Sequence, residues 1–368
     1  MIYFDNAATT FPKPPSVINE VTRCLKKYCG NPGRSSHALA IAAAEKIYDT
    51  RERIARFTGT TAENIVFTPN ATYALNLAIK GTIKKRCHCI VSDLEHNSVL
   101  RPLYKIASIY GCEISVYDTD LEPREAIIPL IREDTEVIIT TAASNVTGRV
   151  VNIEEISSIC EECNLKLIID ASQYLGHIDI DLSKTNYHIL CSAGHKALFG
   201  IQGSGFAIFN TRQNIDTLIE GGSGIDTFSM SMPTLLPERY EAGTLFTPAI
   251  AGLCAGVEYI ESIGINEIRL HIDQLTERIW EMLSSLNGIN IYGAENGIIS
   301  FNKSDYSSAA ISEHLNKHGI ATRSGYHCAP LIHRKLGTEK TGAVRISLSF
   351  LNTRKECDSF FKAMKDLI

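Results

Sequence analysis

The chain has 368 residues, 44% of them hydrophobic, and a net charge of −5. That length buries a sizeable core and suits one large and one smaller domain, while the mild charge and the lack of a long basic cluster argue against nucleic-acid binding as the main role. No apolar stretch is long enough to span a bilayer, Met1-Ile2-Tyr3-Phe4-Asp5 does not read as the start of a secretory signal, and eleven irregularly spaced cysteines fit a reducing cytoplasm better than a disulfide framework.

Tyr3 to Pro12 reads as an irregular arm, and Pro12, Pro14 and Pro15 introduce a helix to about Lys27. The run Gly30-Asn31-Pro32-Gly33-Arg34-Ser35-Ser36-His37 reads as a loop, either a solvent-exposed linker or cover for a site. Residues 38–57 show helical periodicity. From there strands and helices alternate: strands at 65–68, 89–92, 114–117, 137–141 and 165–170, with helices at 71–80, 97–110, near 123–132, and at 153–163. Two further strands follow, one stopping at Ser192-Ala193-Gly194-His195-Lys196 and one at 206–209. This rhythm predicts an α/β fold, a mostly parallel sheet with helices on both faces. A small-residue helix at 249–260 and an amphipathic helix at 266–286 come next. Strands at 289–292, 298–301 and 343–348, with helices at 307–318 and 354–366, predict a smaller α+β domain. The division falls near 255, giving a large domain of 15–255 and a small one of 256–368 joined by the arm 1–14.

In such sheets ligands sit beyond the carboxyl ends of the strands, and there the polar residues gather. Asn70-Ala71-Thr72 offers backbone N–H groups and a hydroxyl at a helix start, either an anion site or a plain cap. Glu95-His96-Asn97-Ser98 adds an imidazole, Ser144-Asn145-Val146-Thr147-Gly148 a turn, and Asp170-Ala171-Ser172-Gln173 an acid and an amide. Each alone reads as a cap or turn; that reading leaves their joint placement at one edge unexplained. Lys196 alone would be an ordinary surface lysine. With Asp170 ending an earlier strand, the pair suits a pyridoxal phosphate site, the lysine forming a Schiff base and the aspartate keeping the pyridinium nitrogen protonated.

The cysteines divide. Cys160 and Cys163 have redox spacing but share a helix face. Cys87-His88-Cys89, at a strand start, is a weak candidate for a metal, and no metal is expected. His314 and His318 lack the glutamate a zinc protease needs between them, Leu315 standing in its place, and read as helix surface. Cys328 differs: Gly325 and Pro330 mark a loop around it, and His327 and Arg323 are neighbouring cations that favour a thiolate. The residues support a nucleophile and an inert thiol about equally.

Nine segments in order carry a resemblance. They are the four polar turns just described, the first of them extended back to Phe67, together with Phe4-Asp5-Asn6-Ala7-Ala8-Thr9-Thr10, Gly194-His195-Lys196, Glu241-Ala242-Gly243-Thr244, Arg323 through Cys328, and Val344-Arg345-Ile346-Ser347. With them the chain resembles the cysteine desulfurases of the class V aminotransferases, along essentially its whole length. The resemblance implies a fold type I pyridoxal phosphate enzyme whose large domain holds a mostly parallel seven-stranded sheet. It implies transfer of sulfur from L-cysteine to Cys328 as a persulfide, with release of L-alanine. It also implies the individual roles. Lys196 holds the cofactor and moves protons, Asp170 pairs with the ring nitrogen, Gln173 bonds the phenolic oxygen, and His96 stacks on the ring with an acid–base part. Ala71, Thr72 and His195 hold the phosphate, and Thr244 reaches the phosphate of the other subunit in a homodimer. Asn145, Arg345 and Arg323 serve the substrate.

Three positions depart from the family pattern. Ala193 stands where relatives carry serine or threonine, so Ser192 is the expected substitute; Asn70 replaces a glycine, and Tyr73 a common glutamate. A sulfur-acceptor protein is an expected partner. The spacing from Arg323 to Ala329 resembles the group that includes selenocysteine lyases, which makes L-selenocysteine the alternative substrate, alongside other class V reactions. A nucleotide-binding or scaffolding α/β protein is the reading from another class.

Overall fold

The computed structural model describes residues 1–33, 35–210 and 214–367; Arg34 of the expected loop lies outside the described residues. In chain order the elements are β1 (Ile2–Tyr3), α1 (Pro15–Lys27), α2 (Ala38–Thr58), β2 (Ile65–Thr68), α3 (Ala71–Thr82), β3 (His88–Ser92), α4 (Asn97–Tyr110), β4 (Glu113–Tyr117), α5 (Pro123–Ile127), β5 (Thr135–Thr141), α6 (Ile153–Glu162), β6 (Lys166–Asp170), β7 (Ile189–Ala193) and β8 (Gly205–Phe209). There follow α7 (Thr247–Ile263), α8 (Ile265–Ser284), β9 (Ile289–Glu295), β10 (Ile298–Lys303), α9 (Ser308–Lys317), β11 (Ile320–Ala321), β12 (Arg323–Gly325), α10 (Pro330–Lys335), β13 (Ala343–Ser347) and α11 (Arg354–Lys365).

Seven strands form one sheet in the order β2-β8-β7-β6-β5-β3-β4, and β8 alone opposes its neighbours. Apart from the edge strand β4, the strands are buried at nearly every position because helices cover both faces. Alternation divides their side chains: Ile90, Ile138, Ile169, Leu190 and Phe206 enter one core, and Val91, Ile139, Ile168, Ile189 and Ala207 the other. α6 and α7 pack on the first face, α3 and α4 on the second. The common direction of β2, β3, β5, β6 and β7 brings their carboxyl ends to one edge.

A second sheet, β12-β13-β10-β9, is antiparallel throughout. α8, α9 and α11 close a separate core against it, which takes in Leu275, Leu315 and Phe360. Phe4 from the arm is fully buried in that core, its ring edge-on to Phe360 at 6.2 Å. The arm is therefore more ordered than expected. β1 pairs with β11, Asp5 bridges Ser347, and Thr10 N–H reaches the carbonyl of His195 at 3.2 Å.

One further expectation is corrected. The helix near 123–132 stops at Ile127 and tightens into one 3₁₀ turn, Ile128–Leu130, because Pro129 supplies no N–H to continue the helix. Arg323–Gly325, to which the sequence reading assigns no element, is a strand held by pairing with β13, and the loop expected between Gly325 and Pro330 begins where it ends. No single described helix is long and apolar enough to cross a membrane.

Because Phe4 is the arm's fully buried side chain in the small core, we expect Phe4→Ala to cost about 3–5 kcal/mol. In urea melts of the intact chain its midpoint falls clearly below that of Phe11→Ala, whose ring is 56% exposed. Equal midpoints would contradict the anchoring.

Candidate active site

A cavity of about 240 Å³ opens at the carboxyl edge of the large sheet, under the small one. The turn after β2 supplies Ala71 and Thr72, the turn after β3 supplies His96, and the loop after β5 supplies Asn145. Asp170 and Gln173 come from the end of β6, and His195 and Lys196 from the turn after β7. The small sheet and its loop add Arg323, Cys328 and Arg345. Ser192 and Thr244 do not line it.

Asp170 and Lys196 are brought together because β6 and β7 are neighbours, with Asp170 in register with Cys191. Asp170 Oδ1 accepts the Ser172 N–H at 3.0 Å. The lysine turn needs Gly194, where a Cβ would lie 2.5 Å from Ser204 Oγ. Burial pushes the Lys196 amine down to about 8; Asp170 opposes that shift, and Arg345 and Arg323 reinforce it.

At the other end of the cavity, Asn70 has extended backbone (φ −170°), and its Oδ1 caps α3 by accepting the Tyr73 N–H at 2.9 Å. Its contribution is this cap, which glycine lacks, rather than tolerance of unusual angles. The Ala71 and Thr72 amides are the first N–H groups of α3, which have no acceptor within the helix and sit at its positive end. Thr72 Oγ1 lies 2.8 Å from Ser98 Oγ, which lies 2.9 Å from His96 Nδ1. Ala193 faces the cavity, and strand alternation turns its neighbour away. Ser192 Oγ instead donates to the Ala171 carbonyl at 3.4 Å, so the expected substitution by Ser192 does not hold. Tyr73 lines a different hollow, with Thr244.

His96 Nδ1 also accepts the Ser98 backbone N–H at 3.0 Å, which leaves the ring proton on Nε2. Burial pushes its pKa down to about 4, so the imidazole is neutral near pH 7.

The third side of the cavity is built around Arg345, which is 2% exposed. Nη1 donates to the Asn145 carbonyl at 2.9 Å and Nη2 to Asp5 Oδ1 at 2.8 Å, while Nε has no partner. Asn145 Nδ2 holds the His327 carbonyl, and the Asn97 N–H holds that of Cys328, each at 2.7 Å. Between these anchors His327 and Cys328 take consecutive left-handed conformations, φ 49° and 57°, a strained arrangement for non-glycine residues. Cys328 is left exposed between buried His327 and Ala329. After the loop, Lys335 pairs with Asp93 at 2.6 Å, Asp120 at 2.8 Å, and Asp118.

His327 is not the cation expected beside the thiol. Both its ring nitrogens are buried without a partner, and burial pushes its pKa down to about 3. The positive charge on this side belongs to the arginines. His314 is likewise not plain helix surface; its Nε2 bonds the Ala363 carbonyl at 2.8 Å.

Sequence reasoning assigned no role to Asp5, Ser98 or Glu95, although all three fall in segments it singled out. Glu95 is fully buried, with Oε1 accepting the Thr141 N–H at 2.7 Å and Oε2 unpartnered. Burial pushes its carboxyl up to about 8. Its position beside a capping histidine could be read; its burial could not. Thr244 is exposed in a segment tied down by Glu241, which accepts the Phe67 N–H at 2.6 Å and pairs with Arg51 at 2.5 Å.

The family model of the class-V aminotransferases matches residues 2–360. A probable cysteine desulfurase of Methanothermobacter thermautotrophicus is 30% identical, the match covering 100% of this chain and 94% of that one. One of Borreliella burgdorferi is 31% identical, over 100% and 92%. The structure of an apo cysteine desulfurase from Thermococcus onnurineus NA1 superposes with a TM-score of 0.91 at 30% identity, covering 100% of this chain and 94% of that one.

Competitive acylation of lysines, mapped by peptide mass spectrometry across pH, checks the electrostatics. We expect Lys196 to reach half-maximal reactivity near pH 8, and lower in Asp170→Asn, since that carboxylate raises its pKa. A midpoint at the ordinary lysine value of about 10.4 would contradict the enclosure.

Proposed function

The chain belongs to the class-V aminotransferase family, and on that premise we propose that it is a pyridoxal phosphate-dependent cysteine desulfurase, moving sulfur from L-cysteine to Cys328 and releasing L-alanine. The observation that carries this reading is that one cavity receives both a lysine beside a carboxylate and, from the opposite sheet, an exposed cysteine on a strained loop.

The side chains fit the cofactor. Ser172 Oγ and Arg345 Nε are buried without protein partners, which a polar ligand would supply. Two unpaired helix amides, Ala71 and Thr72, lining the same cavity as His195, suit a phosphate. Asp170 would take the ring N–H and Lys196 the covalent link. Gln173 gives one Nε2 hydrogen to the Ala7 carbonyl at 2.9 Å and keeps another for the phenolic oxygen. Bound there, pyridoxal phosphate supplies an electron sink that acidifies the Cα–H of an amino acid.

The chain's own residues do the rest. Lys196 Nζ, with its pKa near 8, takes and returns the Cα proton. Arg345 meets the substrate carboxylate through Nε and its spare Nη hydrogens, while Asp5 and Asn145 hold the guanidinium in plane. Arg323 adds charge at the mouth. His96 acts as a neutral Nε2–H donor against the ring, not as the base. Cys328 Sγ forms an S–S bond as the substrate Cβ–S bond breaks, and protonation at Cβ completes alanine.

We read the protein as a cytoplasmic homodimer that passes sulfur to an acceptor protein. Thr244 lies exposed and outside its own cavity, as a residue serving a neighbour's site would. In the preceding segment Phe228 and Met230 are 98% and 101% exposed, an apolar surface suited to burial against a second copy.

Cys328→Ala tests the reading. We expect sulfide release from L-cysteine to fall by roughly 100-fold or more, while borohydride still traps pyridoxal phosphate on Lys196. Undiminished release would remove the persulfide step. Turnover retained only with L-selenocysteine would favour the lyase alternative.

A further inference from the structure

A second group of thiols lies at the opposite end of the large sheet from the cavity. Cys87 immediately precedes β3, Cys89 lies within it, and Cys112 stands between the Gly111 that ends α4 and the start of β4. β3 and β4 pair in parallel with His88 opposite Glu113, and the Glu113 N–H donates to the Cys87 carbonyl at 3.1 Å. Cys87 and Cys112 therefore face each other one step earlier in the same register. Neighbouring strands run about 4.8 Å apart, within the roughly 4.4–6.8 Å Cα separation that a disulfide bridges.

The side chains are placed accordingly. Cys87 Sγ lies 3.7 Å from Cys112 Sγ and 3.8 Å from Cys89 Sγ. His88 turns to the other face, where its ring bonds Thr135 and Ser115, each at 2.8 Å. Among the described residues no group of His, Cys, Asp or Glu converges as a metal site requires, so coordination does not account for the cluster. Cys87 and Cys89 are buried, while Cys112 is partly exposed, which gives the cluster one opening to solvent. The hydrogen bond with Cys89 brings the Cys87 thiol down to about 7 against the effect of burial.

We propose that Cys87 and Cys112 form a second, non-catalytic redox site: a reversible dithiol–disulfide pair oxidised by hydrogen peroxide. Burial raises the Cys112 thiol, so Cys112, the accessible sulfur, gives its proton to the Cys87 thiolate 3.7 Å away as it attacks the peroxide, and Cys87 releases that proton again before the next step. An S–O bond forms, the O–O bond breaks, and the departing hydroxide takes up a proton as water, leaving a sulfenic acid. The Cys87 thiolate then attacks that sulfur; the S–O bond breaks, the S–S bond forms, and a second hydroxide leaves as water. Two thiols and one hydrogen peroxide give one disulfide and two waters, and a small dithiol reverses the change. The loop so closed contains β3, His96 and α4. Oxidation would clip at its far end the unit that presents His96 and Ser98 to the cavity.

The test uses the full chain loaded with pyridoxal phosphate. It is treated with a small excess of hydrogen peroxide, quenched by alkylation and digested without reductant. The expected result is a linked peptide joining Cys87 to Cys112, removed by dithiothreitol, absent in Cys112→Ser and retained in Cys328→Ala. Three outcomes would overturn the proposal: recovery of Cys112 alkylated while Cys328 is oxidised, conversion of Cys112 to sulfinic acid without a linked peptide, or a Cys87–Cys89 link. The wild-type peptides alone decide between these, whatever the folding of the variants.

Discussion

The buried guanidinium of Arg345 ties together the parts from which the cavity is made. It stands on the small sheet, gives one hydrogen bond to Asp5 in the arm, 340 residues away in sequence, and another to Asn145 at the edge of the large sheet, 200 residues away. A charge this enclosed cannot be left unpaired without a large cost, so the three segments hold one another in place. The constraint extends further through Asn145, whose side chain fixes the His327 carbonyl and with it the strained turn that presents Cys328. The group proposed to receive the substrate carboxylate is thus also the group that sets the distance between the two reacting sides.

Burial also decides which groups in the cavity carry protons. It lowers Lys196 to about 8 and His96 to about 4, and raises Glu95 to about 8. Near neutral pH a portion of the lysine is therefore a free amine, the imidazole is a neutral donor, and Glu95 is mostly protonated. The N-cap bond of α4 adds to this by fixing the imidazole tautomer. In this way a local folding signal, a side chain capping a helix, assigns a chemical role.

Much of the scaffold was legible because its strands and helices obey local rules. The apolar runs ending at Thr68, Ser92, Thr141 and Asp170, each followed by turn residues, place the large-sheet side of the cavity from the sequence. What was hidden depends on partners distant in the chain. Arg323–Gly325 is a strand only because β13 lies beside it, and two-residue β1 only because β11 does. Asp5 gives no local sign that it faces Arg345. The charge of His327 was misjudged for a related reason: a histidine beside a cysteine suggests a cation, but only the packed structure shows that it is buried. Ser192 failed through strand parity, since the residue next to a cavity-facing Ala193 points the other way.

The central claim is that the two sides of this cavity act on one substrate, the large sheet activating it and the small sheet taking its sulfur. The most direct measurement is a single turnover with substoichiometric L-cysteine and no reductant, with alanine quantified and protein-bound sulfur located by mass spectrometry. Alanine and a persulfide on Cys328 in equal amounts is the expected result. Alanine formed with no sulfur on Cys328, or pyruvate in its place, would contradict it.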